Sequence, residues 1–86
     1  MKQWGLPKIP PEVPVSISVE YTYRALRKKD VGAFRVKKPD VDNLLKFTCD
    51  LLIGLILTDD SQVVDIRGIK RWGPRDETKI FIQRGA

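Results

Sequence analysis

The sequence contains no histidine and a single cysteine, Cys49. These absences exclude serine–histidine and cysteine–histidine catalysis, zinc sites with imidazole ligands, and intrachain disulfide bonds. One isolated thiol is typical of a reducing compartment. Because Cys49 falls within an apolar helical pattern, we interpret it as a small buried side chain and not as a nucleophile. Any metal bound by this chain must use oxygen ligands, as Mg²⁺, Mn²⁺ and Ca²⁺ do.

Long apolar segments are also missing. The longest run, LLIGLIL at 51–57, has seven residues, whereas a helix that spans a membrane needs about 20. The first residues, MKQWGLPKIPP, have no apolar centre of the kind found in secretion signals, and residues 1–12 are expected to be an irregular lead-in. We therefore expect a cytoplasmic protein without a membrane partner. The 86 residues predict one domain with a modest core, which a second subunit would help to stabilise.

Charge is abundant but unevenly distributed. The net charge is +5, and the segment from Arg24 to Lys38 holds seven cations and one acid. A basic block is the usual electrostatic signature of a protein that binds polyanions, although a solvated loop explains this segment equally well. The acids cluster elsewhere, with six of the eight aspartates between positions 40 and 65.

Hydropathy patterns predict a small α+β domain in the order strand, basic loop, helix, strand, strand. Residues 13–24 alternate with period two, which places five residues on one face: Val15, Ile17, Val19, Tyr21 and Tyr23. Helical spacing of apolar residues predicts a helix over 43–57, with Asp40 or Asp42 as its N-cap. Residues 62–72 and 78–83 are expected to form the last two strands, and Gly68 suggests a β-bulge in the first of them.

The stretch KKPDVDNLLK at 37–46 places two carboxylates at the start of the predicted helix. A helix cap explains one of them but not both. In an extended segment, Asp40 and Asp42 would point to the same side, where their charges repel unless a cation neutralises them. On this spacing alone, a cap and a metal site remain alternatives.

A second acidic pair, Asp59 and Asp60, and Lys46 in the helix favour the metal. Carboxylates that hold Mg²⁺, or Mn²⁺ as a substitute, suit phosphodiester hydrolysis, because the metal polarises the phosphoryl group and lowers the pKa of a bound water. Lys46 would stabilise the developing charge. The alternative for Lys46 is an exposed ladder with Asp42 and Asp50, which lie on the same helical stripe.

The separation of the two acidic pairs favours two subunits. A helix over 43–57 is about 22 Å long at ~1.5 Å per residue, and all ligands of one ion must lie within roughly 2.5 Å of it. One unbroken helix therefore cannot bring Asp42 and Asp60 to the same ion. Two such helices packed antiparallel can bring Asp42 of one chain and Asp60 of the other to the same ion. This predicts a homodimer that forms through the helix region and shares two sites between its subunits.

The segment KPDVDNLLKFTCDLLIGLILTDDSQVVDIRGIKRWG resembles the RusA family of Holliday junction resolvases, whose hallmark is a D-x-D-N-L-x-K helix start followed by a D-D-x-Q-V-V-D turn. The resemblance covers about residues 13–83. It implies a Mg²⁺-dependent homodimeric endonuclease that cuts four-way DNA junctions by paired symmetric nicks in recombination and repair. It also implies four catalytic residues: Asp40, Asp42, Lys46 and Asp60. The three aspartates would bind the metal, and Asp59 would support them.

Family members usually carry a strand and a helix ahead of the strand expected at 13–24, so this chain is expected to be short at its N-terminus. The DNA-contacting cations implied by the resemblance and by the basic segment are Lys28, Lys29, Arg35, Lys37, Lys38, Arg67, Lys70 and Arg71. Phe34, in the basic loop, either wedges into the junction or folds back on the core. The alternatives to a nuclease are a non-catalytic nucleic-acid-binding dimer of the same fold and a structural subunit whose aspartates are caps and turns.

Overall fold

The computed structural model describes residues 7–85, which form a three-stranded sheet with one α-helix against it. Strand β1 spans Val15–Arg24, helix α1 Val41–Leu52, strand β2 Val63–Gly73 and strand β3 Glu77–Arg84. Short 3-10 helices cover Lys28–Asp30 and Asp60–Gln62. Strand β1 lies in the centre, parallel to β2 and antiparallel to β3. The predicted α+β class and the predicted order of elements are confirmed.

The alternating face of β1 forms the core, as its periodicity predicts. Val15, Ile17, Val19 and Tyr21 are all buried, and α1 covers this face. The Thr48 hydroxyl donates to the carbonyl of Leu44 at 2.9 Å, so the Tyr21 hydroxyl must be the donor in its 2.6 Å bond to Thr48 Oγ1. Burial raises the pKa of Tyr21, which keeps the phenol protonated and able to donate this bond.

Helix α1 starts earlier and ends sooner than the sequence predicts. It begins at Val41 and ends at Leu52. The helix ends there because Gly54 adopts a φ of +94° and forms a turn at the C-terminus. The amides of Ile56 and Leu57 both donate back to the carbonyl of Leu52. The last part of the predicted helix is therefore a tight turn that buries Leu57.

Gly68 is not a β-bulge, contrary to the sequence-based expectation. The irregular step in the β1–β2 register falls between Val15 and Ser16. A Cβ atom added to Gly68 would lie 2.8 Å from Val41 Cγ2 and 2.9 Å from Leu45 Cδ1. The missing side chain of Gly68 therefore allows the first turns of α1 to pack directly on β2.

Replacing Gly68 by Ala should lower the free energy of unfolding by about 1–3 kcal/mol, the usual cost of overpacking a close contact. Urea denaturation measures this loss. Ser18→Ala, on the face of β1 opposite α1, is the control and should change the same quantity by less than about 0.5 kcal/mol. Equal effects in the two variants would show that the close approach of α1 at Gly68 is unimportant for stability.

Buried Gln62 joins the segment before β1 to the turn after α1. Its Nε2 donates to the carbonyls of Pro10 at 3.0 Å and Val13 at 3.1 Å. Its Oε1 accepts from the amides of Thr58 at 2.7 Å and Asp59 at 3.0 Å. One side chain therefore satisfies four backbone groups that belong to two distant parts of the chain.

Gln62→Ala should reduce the free energy of unfolding by about 3 kcal/mol, because buried backbone groups lose their partners. Gln83, which is exposed near the end of β3, provides a matched control, and Gln83→Ala should have almost no effect. Thermal unfolding of both variants tests the difference. A stable Gln62→Ala protein would mean that water replaces the amide without cost.

The described part of the predicted lead-in is largely irregular but is held in place. Ile9 pairs with Leu57 in an isolated β-bridge, and Ile9 itself is buried. Residues 1–6 of the predicted 1–12 lead-in lie outside the described residues. Within the described range, no helix has the length and apolar character needed to cross a bilayer.

Candidate functional site

Asp40 and Asp42 stand at the first turn of α1. Asp40 is the N-cap residue, in an extended conformation, but its carboxylate makes no capping hydrogen bond. Asp42 is already helical, so the two carboxylates do not alternate along an extended segment as the sequence suggests. They share the positive end of the helix dipole instead, which offsets part of their mutual repulsion.

The carboxylate of Asp40 is paired with Lys38. The Lys38 ammonium lies 3.0 Å from Oδ1 and 3.2 Å from Oδ2 of Asp40. Both side chains are largely exposed, so the pair contributes about 0–1 kcal/mol. A divalent cation that binds Asp40 would therefore displace Lys38 at little cost.

The exposed ladder of Asp42, Lys46 and Asp50 does not form. All three side chains are exposed, yet none of the ion pairs found among residues 7–85 involves any of them. Asp42 and Lys46 are one helical turn apart, so they lie on the same side of α1. Both charges are therefore available to an external ligand.

Asp59 and Asp60 lie in the turn that follows α1. The Ser61 hydroxyl donates to Asp59 Oδ2 at 2.9 Å, and this bond is the main reason why the pKa of Asp59 is lowered. The pKa of Cys49 is raised, first by burial and then by the charges of Asp50 and Asp60. Cys49 is only partly buried, so the expected small buried side chain is found in part, and its raised pKa favours the protonated thiol.

Helix α1 keeps the two acidic pairs apart within one chain. Its 12 residues span about 18 Å, with Asp42 in the first turn and Asp60 beyond the last. In the part of the chain that the structure describes, no three His, Cys, Asp or Glu side chains are close enough to hold an ion together. The oxygen donors do suit a hard cation such as Mg²⁺. Each chain therefore presents two separate acidic pairs, Asp40 with Asp42 and Asp59 with Asp60.

The basic loop doubles back along the outer edge of β2. The Gly32 amide donates to the carbonyl of Trp72 at 2.8 Å, the Trp72 amide to Ala33 at 2.9 Å, and the Arg35 amide to Lys70 at 3.0 Å. These bonds pair backbone groups that an edge strand would otherwise leave open. They hold residues 32–35 of the loop against Lys70 and Trp72 of β2.

Strand β2 distributes its cations over both faces of the sheet. Arg67 is in register with Ser18 and Arg71 with Thr22, on the face opposite α1, whereas Lys70 is in register with Tyr21 on the α1 face. Residues in register on neighbouring strands point to the same side. The cations assigned to DNA from the sequence therefore do not form one surface.

Four of the eight cations that were assigned to DNA from the sequence make contacts within the chain. Arg35 stacks on Tyr23, with its guanidinium carbon 3.8 Å from the ring centre, and Arg71 lies 3.8 Å from Glu20. Lys38 pairs with Asp40, and Lys70 donates to two backbone carbonyls. The remaining four are exposed and have no ion pair among residues 7–85: Lys28, Lys29, Lys37 and Arg67.

Residues 1–83 match the family described as endodeoxyribonuclease RusA. The chain belongs to this family. It is also 37% identical over 71 residues to a Bacillus subtilis (strain 168) protein named uncharacterized protein YqaN, an alignment that covers 81% of this chain and 50% of that protein. The chain thus spans about half the length of the curated relative it matches. No solved structure matches it.

Phe34 of this RusA-family chain does not fold back on the core. Its side chain is 66% exposed, and its backbone forms an antiparallel bridge with Arg71. The Arg71 guanidinium carbon lies 4.6 Å from the centre of the Phe34 ring, a cation–π distance. An exposed aromatic ring beside a cation is suited to contact with nucleic-acid bases.

An apolar groove of about 590 Å³ runs between α1 and β3. Helix α1 lines it with Leu44, Phe47 and Leu51, and β3 contributes Ile80. Phe47 is 64% and Leu51 53% exposed. Exposed apolar surfaces of this kind occur where proteins contact other proteins, membranes or ligands. The groove flanks the helix that carries Asp42 and Lys46.

The contacts of two residues near the site, Gln62 and Lys70, were not predicted from the sequence. Gln62 follows Asp59 at the spacing of a capping box, which could have indicated its contact with the Asp59 amide. Lys70 was assigned to DNA because of its charge, and no local pattern in the sequence indicates that it bonds to the segment before Asp40.

Proposed function

We propose that this RusA-family chain is a Mg²⁺-dependent endonuclease that cuts four-way DNA junctions as a homodimer. The observation that supports this most directly is the placement of the two acidic pairs at opposite ends of α1. Each pair would supply one half of a metal site, a half-site. Metal binding explains exposed acids on a basic chain better than DNA binding alone does, because carboxylates repel phosphates.

Two copies of the chain would complete both sites. If two α1 helices pack antiparallel across the apolar groove, the half-site at the start of one helix meets the half-site beyond the end of the other. Asp40 and Asp42 of one subunit then share a cation with the partner's Asp60, with Asp59 in support. The same contact would cover Phe47 and Leu51, which are exposed in a single chain.

The chain's own residues would have different roles at such a site. The three aspartates would hold Mg²⁺, or Mn²⁺ in its place, which would supply a Lewis acid for the phosphate that is cut. Lys46, one turn from Asp42, directs its ammonium towards the charge that develops on the phosphate oxygens. The exposed cations Lys28, Lys29, Lys37 and Arg67 hold flanking phosphates, and Phe34 contacts bases at the crossover.

The test is incubation of the chain with a labelled four-way junction and Mg²⁺, beside a linear duplex with the same arm sequences. We expect paired nicks placed symmetrically about the crossover, and little cutting of the duplex. Salt-sensitive binding of the junction without cutting would instead support the non-catalytic DNA-binding dimer. If the chain does not bind the junction and does not cut it, both functions are contradicted.

A further inference from the structure

Two cations donate hydrogen bonds to three consecutive carbonyls immediately before Asp40. Lys70 Nζ lies 2.6 Å from the carbonyl oxygen of Lys37 and 2.7 Å from that of Pro39. Arg35 Nη1 lies 3.2 Å from the Lys37 carbonyl oxygen and 2.7 Å from that of Lys38. Every carbonyl of the segment 37–39 therefore accepts at least one bond from a cationic side chain.

The segment 37–39 depends on these side-chain bonds. Within residues 7–85, no backbone–backbone hydrogen bond involves residues 36–39, and the next one along the chain joins the Leu44 amide to the Asp40 carbonyl. A segment without such bonds is mobile unless other contacts hold it. Lys70 and Arg35 provide those contacts, and Asp40 follows directly after the carbonyl of Pro39.

Both cations are themselves anchored on the sheet. Lys70 lies two residues after Gly68 on the α1 face of β2, and Gly68 is where Val41 and Leu45 approach the strand. The guanidinium carbon of Arg35 lies 3.8 Å from the ring centre of Tyr23 and 5.0 Å from that of Trp72. The segment before Asp40 is thus tied to the same part of the sheet that positions the first turns of α1.

We propose that Lys70, assisted by Arg35, is a positioning residue for the metal half-site of Asp40 and Asp42 and not a phosphate contact. This inference rests on the proposed function. The ammonium of Lys70 is engaged by two carbonyls, so little of its donor capacity remains for a phosphate. Its effect on catalysis passes through the backbone of residues 37–39 to the two carboxylates.

The two roles predict different results for Lys70→Met, which keeps the aliphatic stem but removes the donors. As a positioning residue, its loss should weaken the binding of Mn²⁺ alone, measured by titration without DNA, by about tenfold, as the loss of an outer-shell contact does. The salt slope of junction binding should stay unchanged. Loss of a phosphate contact should instead leave Mn²⁺ binding intact and reduce the magnitude of that slope by about 0.9.

Two further variants strengthen the test. Lys79→Met removes a lysine on β3 that pairs with Glu77 at 3.7 Å, and it should leave Mn²⁺ binding unchanged. Lys70→Arg keeps hydrogen-bond donors at the position and should recover most of the affinity, which also separates loss of the bonds from loss of folding. In Lys70→Met, backbone NMR order parameters of residues 37, 38 and 40 should fall from about 0.85 towards 0.6.

The outcomes separate the inference from the proposed function. If the wild-type chain binds Mn²⁺ and Lys70→Met binds it equally well, the positioning role is wrong while the proposed function stands. If the wild-type chain binds no Mn²⁺ at all, the proposed function fails and the role of Lys70 fails with it. Unchanged order parameters in Lys70→Met would also overturn the inference, because the segment would not need the lysine.

Discussion

Asp42→Asn should lower Mg²⁺-dependent cutting of a four-way junction by at least about a thousandfold, because the proposed metal site would lose a charged ligand of the ion that stabilises the transition state. Asparagine is nearly the same size as aspartate and is tolerated in the first turn of a helix. The side chain of Asp42 is exposed and has no ion pair among residues 7–85. The substitution should therefore change the metal site without changing the fold.

Asp50→Asn is the matched control for this prediction. Asp50 lies on the same exposed stripe of α1, eight residues after Asp42, and no metal role is assigned to it. Single-turnover cutting, Mn²⁺ titration and unfolding should all match the wild type in Asp50→Asn. Loss of cutting in both variants would indicate that overall negative charge matters, and normal cutting by Asp42→Asn would remove the proposed metal site.

Mixing two inactive variants should restore activity if the sites are shared between subunits. A dimer of one Asp42→Asn chain and one Asp60→Asn chain has one site with both defects and one site with none. In an equal mixture that has been unfolded and refolded together, half of the dimers are mixed, so about a quarter of all sites should be intact. Each mixed dimer has a single working site, so nicked junctions should accumulate instead of fully resolved products.

The control mixture combines Asp40→Asn with Asp42→Asn. Both residues belong to the same half-site, so every site in a mixed dimer carries one defect and no activity should return. Recovery in this mixture would mean that the variants are only partly inactive. If the Asp42→Asn and Asp60→Asn mixture shows no recovery while sedimentation demonstrates a dimer, the shared site is wrong.

The element types could be predicted because each is encoded by a local pattern. The period-two alternation of β1 correctly identifies its core face, since Val15, Ile17, Val19 and Tyr21 all become buried. The start of α1 is marked by Asp40 as its N-cap. The end of α1 could not be predicted this way, because the apolar pattern continues to Leu57 and only the turn at Gly54 and the bridge between Leu57 and Ile9 stop the helix.

The candidate metal residues were selected from the sequence because their type and spacing place carboxylate oxygens at both ends of a helix, and their metal role stays a prediction. Helix geometry alone then implies that Asp42 and Asp60 cannot meet within one chain, and the observed 12-residue helix leaves that conclusion unchanged. Whether Asp40 caps α1 or pairs with Lys38 was not readable from the sequence, since both contacts are compatible with the same spacing.

The partners of the basic residues were decided by the tertiary structure. The sequence shows that Arg35 and Lys70 are charged, but it does not show which groups they contact in the folded chain. Lys70 is 33 residues from Lys37 along the chain, and the two meet only because the basic loop folds back on the edge of β2. Local sequence determines the type of each element and the residues available for chemistry. Long-range strand register determines which charges contact other parts of the protein and which stay exposed.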